Sequence, residues 1–279
     1  MISLIVATVN RVADLERLLS SLDEQSDRDF ETIVVDQNPD DRLVPVLEAH
    51  PRLTIRHLRS ARGLSRARNA GLRIAAGDIL AIPDDDCWYP RDLLAAVKAW
   101  FAAHPEGSLL GAGLRTADDE PSLPNLPACT HHCTRATVWR YAVSPGLFLR
   151  RSVALAVGDF DENLGVGALS AYQAGEEIDY VLRALARGFQ MWYEPSITVY
   201  HPPFASLEHL TRTTYSYALG TGRVQRLHHY PLGQFGWHLV RTLGGAAVSL
   251  CHGDLARARL YALRGAGQLR GYMLPPRWA

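Results

Sequence analysis

The 279-residue chain is 47% hydrophobic and 21% charged, the composition of a folded globular protein rather than of a disordered one. Its length suits one large α/β domain with an appendage, and its formal net charge of +0 gives no reason to expect a nucleic-acid partner. Four cysteines in a chain this long do not call for a disulfide scaffold.

The first hundred residues alternate short apolar runs with amphipathic stretches. Leu4 to Val9 reads as a buried strand, and Ala13 to Leu22 as a helix with Leu15, Leu18, Leu19 and Leu22 on one face. Phe30 to Asp36 is a second strand, Leu43 to Ala49 a helix and Leu53 to His57 a third strand. Leu64 to Ala75 is a helix ended by Gly77-Asp78, followed by a fourth strand, Ile79 to Ile82, and a helix from Arg91 to Ala103. Strands alternating with helices predict an α/β fold with a mostly parallel central sheet covered on both faces.

Glu106 to Thr137 is rich in Pro, Asp and Thr, and its elements are not legible. Within it, Cys129-Thr130-His131-His132-Cys133 crowds metal-ligand types into five residues. It lacks the separated second pair of a structural zinc site, so it reads as a loop. Pro145 to Arg150 reads as a strand and Ser152 to Val157 as a short helix. Asp159 to Ala174 is a Gly-rich loop expected to be mobile, and Glu176 to Arg187 is a helix. Gln190 to Tyr193 and Ile197 to Tyr200 are two short strands. The expected division is a catalytic domain over 1–204 and a basic helical extension over 205–279. The extension holds nine arginines against Glu208 and Asp254. No signal-peptide pattern is present, and the apolar run from Phe235 to Cys251 falls short of the roughly 20 residues of a spanning helix. The expected location is therefore cytoplasmic, or peripheral on the inner face of the membrane.

Chemistry is concentrated at strand ends. Asp84, Asp85 and Asp86 follow the fourth strand directly. Three adjacent carboxylates raise one another's pKa unless a cation neutralises them, and hard ions such as Mg²⁺ or Mn²⁺ bind carboxylate oxygens while bridging to phosphates. A solvated acidic turn is the plain alternative. Asp36 ends the second strand beside Thr8 at the end of the first, at the sheet edge where α/β folds bind ligands. No Gly-x-Gly-x-x-Gly follows the first strand, so the dinucleotide fingerprint is absent. Arg62 to Gly71 carries arginines suited to phosphate oxygens or to nearby acids. Glu176, Glu177 and Asp179 open a helix, where the dipole favours carboxylates whether they cap the helix or act as a general base. His201 follows the last strand and is able to complete a metal shell or to serve structurally.

Taken in order, these segments resemble glycosyltransferase family 2. Leu4 to Arg11 is similar to that family's first strand and loop, and Phe30 to Asp36 to its second strand. Gly63 to Gly71 is similar to the helix leading to the donor site, and Gly77 to Asp86 to the strand ending in the DxD motif. Phe160-Asp161-Glu162 with Gly175-Glu176-Glu177 is similar to the acceptor-side loop and base-bearing helix, and Tyr200-His201-Pro202 to the segment that can offer a metal-binding His. The resemblance covers residues 2 to 203. It implies a GT-A fold and inverting transfer of a sugar from a nucleotide-diphosphate sugar to a carbohydrate, lipid-linked or small-molecule acceptor. Polysaccharide or glycoconjugate synthesis is the setting it suggests. Thr8, Asn10, Asp36, Arg68, Asp84 and Asp85 would hold the nucleotide sugar. Asp84, Asp86 and His201 would hold Mn²⁺ or Mg²⁺, and Glu177, or less favourably Glu176 or Asp179, would be the base. Two departures stand out: Asp36-Gln37-Asn38-Pro39 replaces the family's Asp-Asp-Gly-Ser, and Glu177 stands where the family has Asp. The second keeps open a non-catalytic nucleotide-sugar or carbohydrate binder on the same fold. The basic extension suits contact with anionic lipid or a homodimer.

Overall fold

The computed structural model describes residues 1–123, 126–203 and 207–274, with the side chains of residues 207–209 left aside. In chain order the elements are β1 (Ile2–Thr8), α1 (Val12–Asp23), β2 (Phe30–Asp36), α2 (Val44–Glu48), β3 (Ile55–Arg59), α3 (Leu64–Ile74), β4 (Ile79–Ala81), α4 (Leu93–Ala103), β5 (Gly107–Arg115) and β6 (His131–Cys133). They continue with α5 (Val138–Tyr141), a 3₁₀ turn at Ser144–Gly146, β7 (Leu147–Arg150), α6 (Arg151–Val157), α7 (Glu176–Ala186), β8 (Gln190–Tyr200), α8 (Leu207–Leu227), α9 (Leu232–Cys251) and α10 (Leu255–Met273). The chain divides into two compact units. One comprises residues 1–62, 66–160 and 180–204; the other comprises 63–65, 161–179 and 205–279.

The first unit is an eight-stranded mixed sheet in the order β3-β2-β1-β4-β7-β5-β8-β6. The β3-β2-β1-β4 half is parallel, as the strand–helix alternation predicts, whereas β7 runs antiparallel to both β4 and β5. β1 shows how the pleat sorts its residues. Leu4 and Val6 share one core with Leu15, Leu18, Leu19 and Leu22 of α1 and with Leu93, Leu94 and Val97 of α4. Each such side chain contributes about 1.5–3 kcal/mol on burial. Ile5 points the other way, onto α3. The close seat of α3 depends on Gly71, because a Cβ there would lie 2.3 Å from Ile5 Cγ2.

Two elements differ from the sequence expectation. β8 is one strand rather than two, and Pro195 is accommodated at a register shift opposite Ala112/Gly113 of β5. β5 itself lies in the stretch that was not legible. Gly111 and Gly113 are required there because a Cβ would meet Tyr141 O at 2.6 Å and Pro195 O at 2.9 Å.

In the second unit α8 and α10 cross tightly, and α9 packs on α10 with Phe235 stacked on Tyr272 at 4.2 Å. The Gly-rich loop from Asp159 to Ala174, read in the sequence as mobile, carries hydrogen bonds of its own. Gly165 N–H donates to Tyr172 O at 3.0 Å, and Gln173 Nε2 donates to Ala168 O at 3.0 Å and Ser170 O at 2.7 Å. Gly165 and Gly175 supply left-handed φ values of +97° and +95°.

Gly71→Val is expected to lower the stability of the first unit by about 1–3 kcal/mol, because a branched side chain has to displace either Ile5 or α3. A thermal midpoint equal to the wild type's would contradict the close seat of α3 on β1.

Candidate active site

The parallel register brings the C-terminal ends of three strands together. Thr8 pairs with Asp36 across β1 and β2, and Ala7 forms a bridge with Asp84 just beyond β4. Trp88 and Tyr200 exchange both backbone hydrogen bonds at 3.0 Å and stack with ring centroids 5.7 Å apart. That bridge is what delivers His201 to the acidic triplet, over a hundred residues earlier in the chain. Arg17 lies over the Trp88 ring at 4.6 Å and donates to Asp86 O at 2.8 Å, which fixes the turn.

Asp84, Asp86 and His201 form a group whose ligand atoms all lie within 4.8 Å of one another. His201 Nδ1 lies 2.6 Å from Pro202 O. A carbonyl only accepts, so Nδ1 carries the proton and Nε2 faces the carboxylates. The backbone carbonyl thereby selects the tautomer, as outer partners of metal-bound imidazoles do. Nε2 stands 3.3 Å from Asp86 Oδ1, a buried oxygen that accepts no well-directed hydrogen bond. Two carboxylates and an imidazole with an unsatisfied buried oxygen between them fit a hard divalent cation.

Arginines also balance the triplet. Arg11 Nη1 donates to Asp85 Oδ1 at 3.1 Å and also to Asp86 Oδ2. Asp85 is buried, and that burial, with repulsion from Asp84 and Asp86, pushes its pKa up to about 6 against the opposing pull of Arg11. Burial acts on Asp86 in the same sense but is outweighed by His201 and Arg11, which hold it at about 2. His201 is itself raised: burial lowers it, and the contact with Asp86 more than compensates. Arg68, only 1% exposed, donates to Asp84 Oδ1 at 3.2 Å from beneath, with its guanidinium 5.6 Å over the Phe160 ring. Asn69 holds that ring in place, because its side-chain amide pairs with both the N–H and the carbonyl of Phe160.

Thr8, Asn10 and Asp36, expected from the sequence to hold a nucleotide, also lie together. Asp36 is fully buried. Its oxygens accept from Asn38 N at 2.8 Å, Asn38 Nδ2 at 2.7 Å and His57 Nε2 at 3.0 Å, and Arg59 Nη1 lies at 3.0 Å. A nucleoside reaching Asp36 has to displace one of these donors. Asn10 adopts a left-handed φ of +61° and links Asn38 and Arg42, closing the β1 loop over the β2 turn. Thr8 is buried beneath it.

The three acids of α7 belong to the second unit. Glu176 and Asp179 are buried, and Asp179 Oδ1 lies 2.8 Å from His228 Nε2. Glu177 is the most accessible of the three. Among the described residues, Cys129-to-Cys133 forms no group of three ligands. Cys133 is buried in β6, His131 stacks on Tyr141, and His132 meets Trp192 edge to face. Sequence reasoning missed Arg11, Arg17, His57 and Arg59 as parts of the site. Arg11 alone had a local signal, as a base just beyond the first strand.

Residues 3–139 match the family model described as Glycosyl transferase family 2. These residues form a glycosyltransferase family 2 domain, a little under half of the chain. An uncharacterized glycosyltransferase of Haemophilus influenzae is 36% identical over 92 residues, which cover 33% of this chain and 31% of that protein. The uncharacterized glycosyltransferase YwdF of Bacillus subtilis is 27% identical over 169 residues, 58% of this chain and 63% of that protein. The match thus spans less than two thirds of either relative. Among solved structures, the mannosyltransferase PcManGT of Pyrobaculum calidifontis, described in complex with GDP-Man and Mn²⁺, superposes with a TM-score of 0.65 at 19% identity. It covers 98% of this chain and 87% of its own. At that identity the likeness is one of fold, and the fold is of the GT-A type.

Arg11→Ala removes the cation that compensates Asp85 and Asp86 in the metal-free protein. The variant is expected to lose about 1 kcal/mol without metal, a partly exposed ion pair's worth, and to gain more thermal stability than the wild type from added Mn²⁺. Equal Mn²⁺-induced shifts would contradict a shared position for Arg11 and the cation.

Proposed function

We propose that this chain is a metal-dependent glycosyltransferase that moves a sugar from a nucleotide-diphosphate donor to an acceptor hydroxyl with inversion. The observation that carries this reading is the Asp84–Asp86–His201 ligand set at the carboxyl ends of the strands of a family 2 domain. The donor class draws support from the GDP-Man and Mn²⁺ bound by the mannosyltransferase of similar fold.

When bound, Mn²⁺ or Mg²⁺ supplies positive charge to the departing nucleoside diphosphate. Asp84, Asp86 and His201 hold that cation, with Asp85 behind them. Thr8, Asn10, Asp36 and Arg68 hold the nucleotide, and the Arg68–Asp84 contact keeps one ligand carboxylate in place. Glu177 takes the proton of the acceptor hydroxyl as its oxygen attacks the anomeric carbon opposite the leaving diphosphate. Its accessibility relative to Glu176 and Asp179 favours it as the group that meets an acceptor. The acceptor is a carbohydrate, a lipid-linked glycan or a small molecule, in a pathway of polysaccharide or glycoconjugate synthesis.

The test is release of nucleotide from a panel of UDP-, GDP- and dTDP-sugars with Mn²⁺ or Mg²⁺. Asp86→Ala is expected to lose both metal-dependent donor binding and turnover. Glu177→Gln is expected to bind donor normally and to lose turnover by about 10²–10⁴-fold, the usual contribution of a positioned acid–base group. Metal-dependent donor binding without turnover in the wild type would instead favour a binding protein, for which Glu177 in place of Asp is the motivating observation. Absence of any metal-dependent donor binding overturns the proposal.

His201→Ala is expected to weaken Mn²⁺ about 10–100-fold, read by the loss of the free-ion signal in electron paramagnetic resonance. Unchanged Mn²⁺ affinity would remove His201 from the ligand set.

A further inference from the structure

α9 is apolar on the wrong side for a helix in a water-soluble bundle. Its inner face is set by Phe235 and Ser249, 7% and 6% exposed, and by Gly245, where a Cβ would lie 2.9 Å from the Tyr261 ring of α10. At 100° per residue the opposite arc is formed by Leu232, Trp237, Val240, Leu243, Val248 and Leu250. These are 49–72% exposed, yet they are the residue types expected inside. The arc runs along the whole 20-residue helix, about 30 Å. It carries one charge, Arg241, at its edge, and α9 contains no carboxylate.

The charges that continue from this face decide what covers it. α10 exposes Leu255 (71%) at its start, just after the turn that ends α9, and follows it with the exposed Arg257 and Arg259. The single acid of the two helices, Asp254, is engaged as the N-cap of α10, accepting from Arg257 N at 2.9 Å. An apolar face bordered by arginines matches the boundary between acyl chains and anionic headgroups, with tryptophan at the depth that suits its ring. A second copy of the chain fits less well, because a two-fold contact would bring these arginines against one another with no free carboxylate opposite. No described helix is long and apolar enough to cross a membrane, so α9 would lie in the interface rather than span it.

We infer that α9, with the arginine-bearing start of α10, is a docking surface for an anionic phospholipid bilayer. The test uses the full chain and unilamellar vesicles of phosphatidylcholine with and without phosphatidylglycerol, read by co-sedimentation. The wild type sediments with the phosphatidylglycerol vesicles and less with phosphatidylcholine alone, and binding falls as salt is raised. The combined variant Trp237→Ser, Val240→Ser, Val248→Ser, altered only at exposed positions, keeps its circular dichroism and lowers partitioning by about tenfold or more. Arg257→Gln with Arg259→Gln lowers binding to phosphatidylglycerol vesicles and leaves the phosphatidylcholine background unchanged. No sedimentation with either vesicle overturns the inference, as does serine-variant binding equal to the wild type's. Binding indifferent to phosphatidylglycerol removes the anionic surface. A wild-type dimer in light scattering that the serine variant converts to monomer assigns the face to a second copy instead.

Discussion

Three carboxylates placed in succession at the end of a buried strand need a positive partner, and much of the first unit is arranged to supply one. β4 is short and enclosed, so Asp84, Asp85 and Asp86 emerge together where β1 ends. Arg68 comes from α3, Arg11 from the β1 loop and His201 from the end of β8. Each depends on a distant feature of the fold: α3 needs Gly71 to lie on Ile5, and His201 needs the Trp88–Tyr200 bridge. Packing and chemistry are therefore linked, since a change that lifts α3 or β8 also unbalances the acidic turn.

The triplet is not uniform. Asp85 is buried with a pKa near 6, whereas Asp86 is held near 2 by His201 and Arg11. The more acidic oxygens face the imidazole, and the more basic carboxylate sits behind them. Such separation of neighbouring carboxylates by environment is how one turn comes to offer groups of different character. With Nδ1 committed to Pro202 O, the other ring nitrogen, Nε2, is directed to the side where the acid is most strongly ionised.

Much of this was legible in the chain because it is local. The leucine spacing of α1, the uninterrupted apolar cores of β1 and β2, and the acidic turn after β4 are each contained within about a dozen residues, where periodicity and burial leave direct marks. β5 was not legible because Gly-Ser-Leu-Leu-Gly-Ala-Gly-Leu-Arg carries glycines that weaken a strand signal, and only the neighbouring Trp100 ring and Tyr141 and Pro195 backbones explain them. Pro195 likewise splits β8 in the sequence but not in the sheet, where a register shift absorbs it. The roles of Arg11, His57 and Arg59 were hidden because a charged residue beyond a strand looks alike whether it faces water or a buried carboxylate. The glycines of the 159–174 loop suggested mobility, and both of them, Gly165 and Gly167, take left-handed φ values within a hydrogen-bonded loop.

The central claim is that Asp84, Asp86 and His201 together hold a divalent cation for a nucleotide diphosphate. It is tested most directly by crystals grown with Mn²⁺ and UDP or GDP, with anomalous data collected at the manganese edge. The account predicts one strong peak in contact with Asp86 and His201 Nε2, at oxygen and nitrogen distances near 2.2 Å by analogy with other divalent first-row sites, with Arg11 withdrawn from Asp86. A fully bound nucleotide with no anomalous peak there, and Arg11 still spanning Asp85 and Asp86, would contradict it.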